Sequence, residues 1–303
     1  MRSGTGFRYL DADGSPLPAA ERDRVRALVI PPAWGDVWIA AAANGHIQAT
    51  GVDEAGRMQY LYHPDWSTRR DKGKYARALE LAERLPHARG RVTASLRRDD
   101  LERERVLATA FRLLDQAAPR VGSERYFSAH GSRGLTTLQR RDALVDGSVT
   151  SLRFPGKSGK RQRLDVDDAD LAVVVGLLAA GRPAAPLLAY VRGRRRVALT
   201  PKDVNAYVRA MTGGSFTAKD FRTLRGTILA ADALARIGPT STKTDRKRAE
   251  VLAVRATATA LGNTPAVAKS SYIDPRVFAR YRRGVLLDTS ISPESAIRAL
   301  LAS

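Results

Sequence analysis

The chain has 303 residues, with 51 Lys and Arg against 31 Asp and Glu, a formal charge of +20, 44% hydrophobic residues, four histidines and no cysteine. The lack of cysteine excludes disulfide staples, thiol nucleophiles, Cys-type zinc sites and iron–sulfur clusters, the hydrophobic fraction argues against disorder of the whole chain, and the scattered His46, His63, His87 and His130 argue against a histidine-held metal. No apolar run approaches the ~20 residues of a membrane span, and the N-terminus has no apolar signal-type segment, so the expectation is a basic protein of a reducing, cytoplasmic compartment.

At about 150 residues per domain the length suggests two domains. Residues 1–73 hold nine Lys/Arg and nine Asp/Glu, so the whole excess of charge lies in 74–303, with 42 against 22. A polyanion is the simplest reason to tolerate that self-repulsion, and the phosphate backbone of nucleic acid is the commonest one; basic residues on a solvated surface are the alternative.

In chain order, residues 18–28 read as a helix. The runs 37–42, 46–53 and 58–63 read as strands, separated by Asn44-Gly45 and Ala55-Gly56, which are turn signals. The polar, charged, glycine-containing stretch 67–74 coincides with the charge shift, which places a domain boundary near residue 73. Residues 101–118 space Leu101, Val106, Ala110, Leu113 and Leu114 along one stripe, as a helix does. Strands at 149–154 and 160–166 flank the tight Pro155–Gly159. Helices follow over 168–180, over 201–211 with Thr200 as N-cap and Pro201 first in the helix, over 217–236, and over 245–261 closed by Gly262. Two more begin near Asp274-Pro275 and Ser292-Pro293.

Gly156-Lys157-Ser158 resembles the end of a phosphate-cradling loop, but that pattern needs a glycine where Ser151 stands and a helix where a strand follows. It reads as a hairpin tip whose lysine is a mobile point charge. With no thiol, no convincing acid pair and no metal cluster, tyrosine is the remaining attractive nucleophile for phosphate chemistry. Its pKa of about 10 requires neighbouring cations, and arginine forks suit the charge that develops on phosphate oxygens.

The segment Leu261-Gly262-Asn263-Thr264-Pro265, followed by Tyr272 nine residues after Asn263, resembles the nucleophile region of the compact viral and bacterial type IB DNA topoisomerases. Arg120-Val-Gly-Ser-Glu, Phe154-Pro-Gly-Lys157 and Lys219-Asp-Phe-Arg222-Thr resemble the first arginine, hairpin lysine and second arginine segments of that family, in family order. The stretches 30–40, 45–51 and 56–64 are similar to its first domain. The resemblance covers nearly the whole chain.

What it implies is an α+β protein. A small β-rich N-terminal domain, 1–73, and a larger, mostly helical catalytic domain with a short antiparallel sheet, 74–303, similar in fold to tyrosine recombinases, would form a C-shaped clamp on double-stranded DNA. By resemblance Tyr272 attacks a phosphodiester to give a 3′-phosphotyrosyl link, and Arg120 and Arg222 hold the non-bridging oxygens. Lys157 protonates the leaving 5′ oxygen, with help from Lys219. The expected protein is a monomer that relaxes supercoils without nucleotide cofactor or metal, associates with the nucleoid and has no membrane partner. Gln59, Tyr60 and Tyr62 on a strand, and Tyr126, would contact DNA, with Gln59 a base-edge reader; packing on a sheet surface is the alternative for the strand residues. Asn263 departs from the family's usual histidine: it can donate a hydrogen bond but cannot become cationic, which implies lowered or pH-shifted activity. Two other readings remain. A tyrosine recombinase is disfavoured by Lys219 three residues before Arg222 and by the β-rich first domain. The other is a DNA-binding clamp with a decayed site.

Overall fold

The computed structural model describes residues 2–3, 6–7, 9–10, 13–54 and 56–302. It divides into two compact units, Met1–Gly73 and Lys74–Ser303. The described parts of the first unit comprise the two-residue strands β1 (Arg2–Ser3) and β2 (Gly6–Phe7), helix α1 (Ala19–Ala27) and strands β3 (Gly35–Ile39), β4 (Ile47–Val52) and β5 (Met58–Tyr62). The last three form one antiparallel sheet in the order β3-β4-β5. Ala55, half of a turn expected at 55–56, lies outside the described residues; the neighbouring Gly56 N–H donates to the Asp53 carbonyl at 2.9 Å.

Residues 67–74 lie inside helix α2 (Pro64–Leu96). The stretch contains no proline and a single glycine, and its Lys and Arg are good helix formers. Its polarity therefore does not interrupt the helix.

In the second unit follow α3 (Arg103–Ala117), α4 (Glu124–His130), β6 (Ala143–Asp146), β7 (Val149–Pro155), β8 (Arg161–Asp167) and α5 (Ala169–Ala179). After these come β9 (Ala189–Arg192), β10 (Arg195–Ala198), α6 (Pro201–Thr212), α7 (Ala218–Ile237), α8 (Lys243–Leu261), α9 (Pro265–Ser271), α10 (Pro275–Arg282) and α11 (Pro293–Ala302). The fold is thus α+β with small antiparallel sheets. Sheet β6-β7-β8 pairs Leu152 with Leu164, and β7 turns Thr150, Leu152 and Phe154 inward, the period-2 alternation of a half-buried strand.

Local chemistry sets the helix ends. Thr200 accepts from the Asp203 N–H at 3.2 Å while Asp203 accepts back from the Thr200 N–H at 2.9 Å, a reciprocal cap that starts α6 at Pro201. α8 ends on Gly262 in the left-handed region (φ 61°), which glycine enters without steric cost. The core centres on α3, where Val106 through Leu114 are all buried and Phe111 meets Phe221 edge-to-face at 5.3 Å, a favoured ring geometry. That packing fixes α3 and α7 together, and both carry residues of the site. Among the described residues no helix is long and apolar enough to cross a membrane.

Candidate active site

Three helix ends meet at one place. α3 closes on Ala118, left-handed at φ 46°, and Pro119 forbids its continuation, so Arg120 leaves the helix directly beyond its C-terminus. α7 is capped by Thr217 and Asp220, with the Thr217 N–H donating to Asp220 Oδ2 at 2.8 Å, and this puts Lys219 and Arg222 in its first turns. α8 runs out through Gly262 to Asn263. Thr264 and Pro265 then start α9, whose last residue precedes Tyr272.

Arg222 is buried, 5% exposed. Its Nη1 donates to the Ala118 carbonyl at 2.5 Å and its Nη2 to the Leu261 carbonyl at 2.8 Å. The guanidinium thus satisfies the C-terminal carbonyls of α3 and α8, where the helix dipoles are negative. Arg120 donates through Nη1 to the Gly262 carbonyl at 3.3 Å and through Nη2 to Asn263 Oδ1. Neither arginine pairs with a carboxylate among the described residues. Burial, and then the like charge of Arg222, lower the Arg120 pKa. Two cations left so close together without an acid form a natural seat for an anion. Asn263 Nδ2 and Arg222 Nε are buried donors without a hydrogen-bond partner among the described residues, so each has donor capacity left for an acceptor oxygen.

Tyr272 packs its ring under Arg222, with the guanidinium carbon 4.9 Å from the ring centroid. Burial pushes its phenol up, but the charge and hydrogen-bonding reach of Arg222, followed by the charges of Arg120 and Lys219, outweigh it and hold the pKa below 10. Lys157 stands exposed at the 3-10 turn between β7 and β8. It lines the same small cleft as Arg120, Arg133, Gln162 and Arg222.

The structure therefore brings Arg120, Lys157, Lys219, Arg222, Asn263 and Tyr272 together. Gln162 is a neighbour that sequence reasoning missed. It lies so close to two glycines that a Cβ at Gly156 would come within 2.6 Å of its Cγ, and one at Gly262 within 1.8 Å of its Oε1. It therefore packs the lysine hairpin against the turn that carries Asn263. Nothing in its local sequence marks it; only the strand register and the chain's return at Gly262 do. Tyr126 sits half-exposed on α4 with its ring 6.1 Å from that of His130, and it is not part of the cleft lining.

Within the first unit, Tyr60 and Tyr62 stack on one face of β5 with ring centroids 6.1 Å apart, as their spacing of two requires. Gln59 Nε2 donates to Asp53 Oδ2 at 2.8 Å, and Asp53 also pairs with Arg57 at 2.7 Å.

Comparison with known proteins gives a consistent result. The family model described as "Eukaryotic DNA topoisomerase I, catalytic core" matches residues 63–283, and that for the bacterial DNA topoisomerase IB N-terminal domain matches residues 6–53. A DNA topoisomerase 1B of Acanthamoeba polyphaga mimivirus is 28% identical over 282 residues, covering 90% of this chain and 83% of that protein.

Proposed function

The chain belongs to the type IB DNA topoisomerases and is therefore an isomerase acting on DNA, and we propose that it relaxes supercoiled duplex DNA by cutting and resealing one strand through a 3′-phosphotyrosyl intermediate on Tyr272. The observation that carries the reading is the ring of Tyr272 4.9 Å from the Arg222 guanidinium carbon, in a cluster whose second arginine has no acidic partner among the described residues.

The Tyr272 oxygen attacks the phosphorus and its proton passes to solvent. The bond from phosphorus to the 5′ oxygen breaks, and Lys157 gives that oxygen a proton as it leaves. Arg120 and Arg222 stabilise the charge that builds on the non-bridging oxygens, and Asn263 Nδ2 donates to one of them. Lys219 adds positive charge beside the phenol. Between cleavage and religation the free 5′-hydroxyl strand swivels. Religation is the same attack reversed. The phosphotyrosyl link conserves the bond energy, so no nucleotide is spent, and the arginines supply the charge stabilisation a metal otherwise gives.

Both units serve one duplex in this reading, as a clamp: Gln59, Tyr60, Tyr62 and Tyr126 contact DNA, and the basic second unit grips phosphates. A broad cleft of α8, α9 and α10, lined by Lys243, Lys247, Arg255 and Lys269 around Phe278, adds to that grip. Binding to a polyanion of this kind falls steeply with salt. The chain acts as a monomer on DNA.

The test is relaxation of a supercoiled plasmid lacking any recombination site, in EDTA and without ATP, at enzyme concentrations where the chain is monomeric. Wild type relaxes both signs of supercoil and Tyr272→Phe relaxes neither. Relaxation by Tyr272→Phe, or none by wild type, contradicts the reading.

A further inference from the structure

We propose that Gly226 and Thr227, one turn beyond Arg222 on α7, position the Tyr272 backbone for attack; the inference rests on the reading of Tyr272 as the nucleophile. A Cβ at Gly226 would stand 2.7 Å from the Tyr272 carbonyl oxygen, 2.9 Å from the Tyr272 Cβ and 3.1 Å from Leu261 Cδ1. No side chain fits there unless the tyrosine moves. Gly226 is not among the glycines with positive φ, so backbone conformation does not require it. It sits in the middle of a 20-residue helix, where glycine disfavours the helical state. What glycine supplies there is close approach of α7 to residue 272.

Thr227 holds the same segment from the next position. It is 2% exposed. Its hydroxyl oxygen accepts the Asp274 N–H at 3.1 Å, and its proton lies within reach of the Thr223 carbonyl at 2.9 Å and the Tyr272 carbonyl at 3.2 Å. The N–H of Tyr272 still bonds back to Ala268 at 3.0 Å, but α9 ends there, with Tyr272 at φ −130° and ψ −13°. The next backbone groups have left the helical ladder and need other partners. Thr227 provides one on each side of Ile273. Residues four apart share a helix face, so a single face of α7 sets the ring's charge environment through Arg222 and its place through Gly226.

Three variants test this: Gly226→Ala, a change that by itself favours helix; Thr227→Val, which keeps the shape and removes the hydroxyl; and Thr227→Ser, which restores it. The readouts are the single-turnover rate of covalent adduct formation on a duplex, its pH profile, and DNA affinity on a Tyr272→Phe background. A nucleophile displaced by about 1 Å costs about 10²-fold. Gly226→Ala and Thr227→Val are expected to slow adduct formation by about that factor with DNA affinity unchanged and the rising limb of the pH profile moved up; Thr227→Ser returns rate and limb toward wild type. Wild-type rates in Gly226→Ala and Thr227→Val while wild type forms the adduct overturn this inference alone, as does a slow Thr227→Val that serine does not rescue. Absence of adduct in wild type overturns the nucleophile reading and this inference with it.

Discussion

The guanidinium carbon of Arg222 and the ring of Tyr272 lie 4.9 Å apart in a buried site. Burial alone would keep the phenol protonated past pH 10. Arg222, Arg120 and Lys219 outweigh it, so the phenolate forms at lower pH. The rising limb of adduct formation against pH is expected below 10 in wild type. In Arg222→Gln the largest favourable contribution is gone and burial remains, so the limb moves up. The rate at neutral pH falls by about 10²–10³, the loss typical of one oxyanion-stabilising donor. Rapid-quench cleavage of a labelled duplex between pH 5 and about 10.5 checks this across the ordinary tyrosine range.

Asn263 uses its oxygen to hold Arg120 and leaves its Nδ2 without a protein partner among the described residues. Asn263→Ala removes both functions and is expected to slow cleavage by about 10²–10³. Asn263→His restores a donor that becomes cationic near pH 6.5, so its rate is expected to rise relative to wild type as pH falls through about 6.5. A single-turnover pH series on the three proteins reads this out.

Lys157 stands on a hairpin tip at the cleft shared with Arg120 and Arg222. In the proposed role of proton donor to the 5′ oxygen it would be worth about 10²–10⁴ in rate. Lys157→Ala is expected to lose that factor on a normal duplex. It should recover most of it on a duplex whose scissile 5′ oxygen is replaced by sulfur, because a thiol of pKa about 8.5 leaves without protonation. Comparing cleavage rates on the two substrates makes the check.

The C-terminal helix is held by charge as well as packing. Arg89 bonds Asp115 at 2.8 Å and Glu294 of α11 at 2.6 Å, with both carboxylates largely buried. Arg89→Met strands two buried anions and is expected to cost about 3–5 kcal/mol, read by urea unfolding. Burial raises the Glu294 pKa but Arg89 more than offsets it, leaving it below 4.5 in the folded protein. A carboxyl lowered by folding contributes stability that is complete above about 4.5 and disappears as pH falls through the folded value. Wild type should therefore lose stability below pH about 4.5 more steeply than Glu294→Gln, which has no carboxyl to titrate.

Much of the helical domain was legible because its stops and starts are local. Thr200-Pro201, Thr217, Gly262 and Asp274-Pro275 act through neighbours within three or four residues, and the observed ends of α6, α7, α8 and α10 fall on them. The passage of α2 through 67–74 was not legible, because a polar, charged stretch without apolar spacing carries no helix signal in the sequence. The hairpin β9–β10, with exposed arginines at its turn, lacks the apolar alternation that announces a strand. At the site, resemblance picked out residue types in order along the chain, and the structure shows which of them meet. It could not show that Arg222 bonds the ends of α3 and α8, that Gln162 lies against Gly262, or that Gly226 lies against Tyr272. Each of these contacts joins residues at least 39 apart in sequence, and neither partner carries a local signal for the other.

The central claim is a covalent bond between the Tyr272 oxygen and a 3′ phosphate. Its most direct test is denaturing electrophoresis of a duplex labelled on the strand segment 5′ of the cut, followed by peptide mapping of the protein that retains label. Label attached to the peptide containing residue 272 in wild type, with none in Tyr272→Phe, is the predicted result. Label on another residue, or an adduct that survives Tyr272→Phe, would contradict the account.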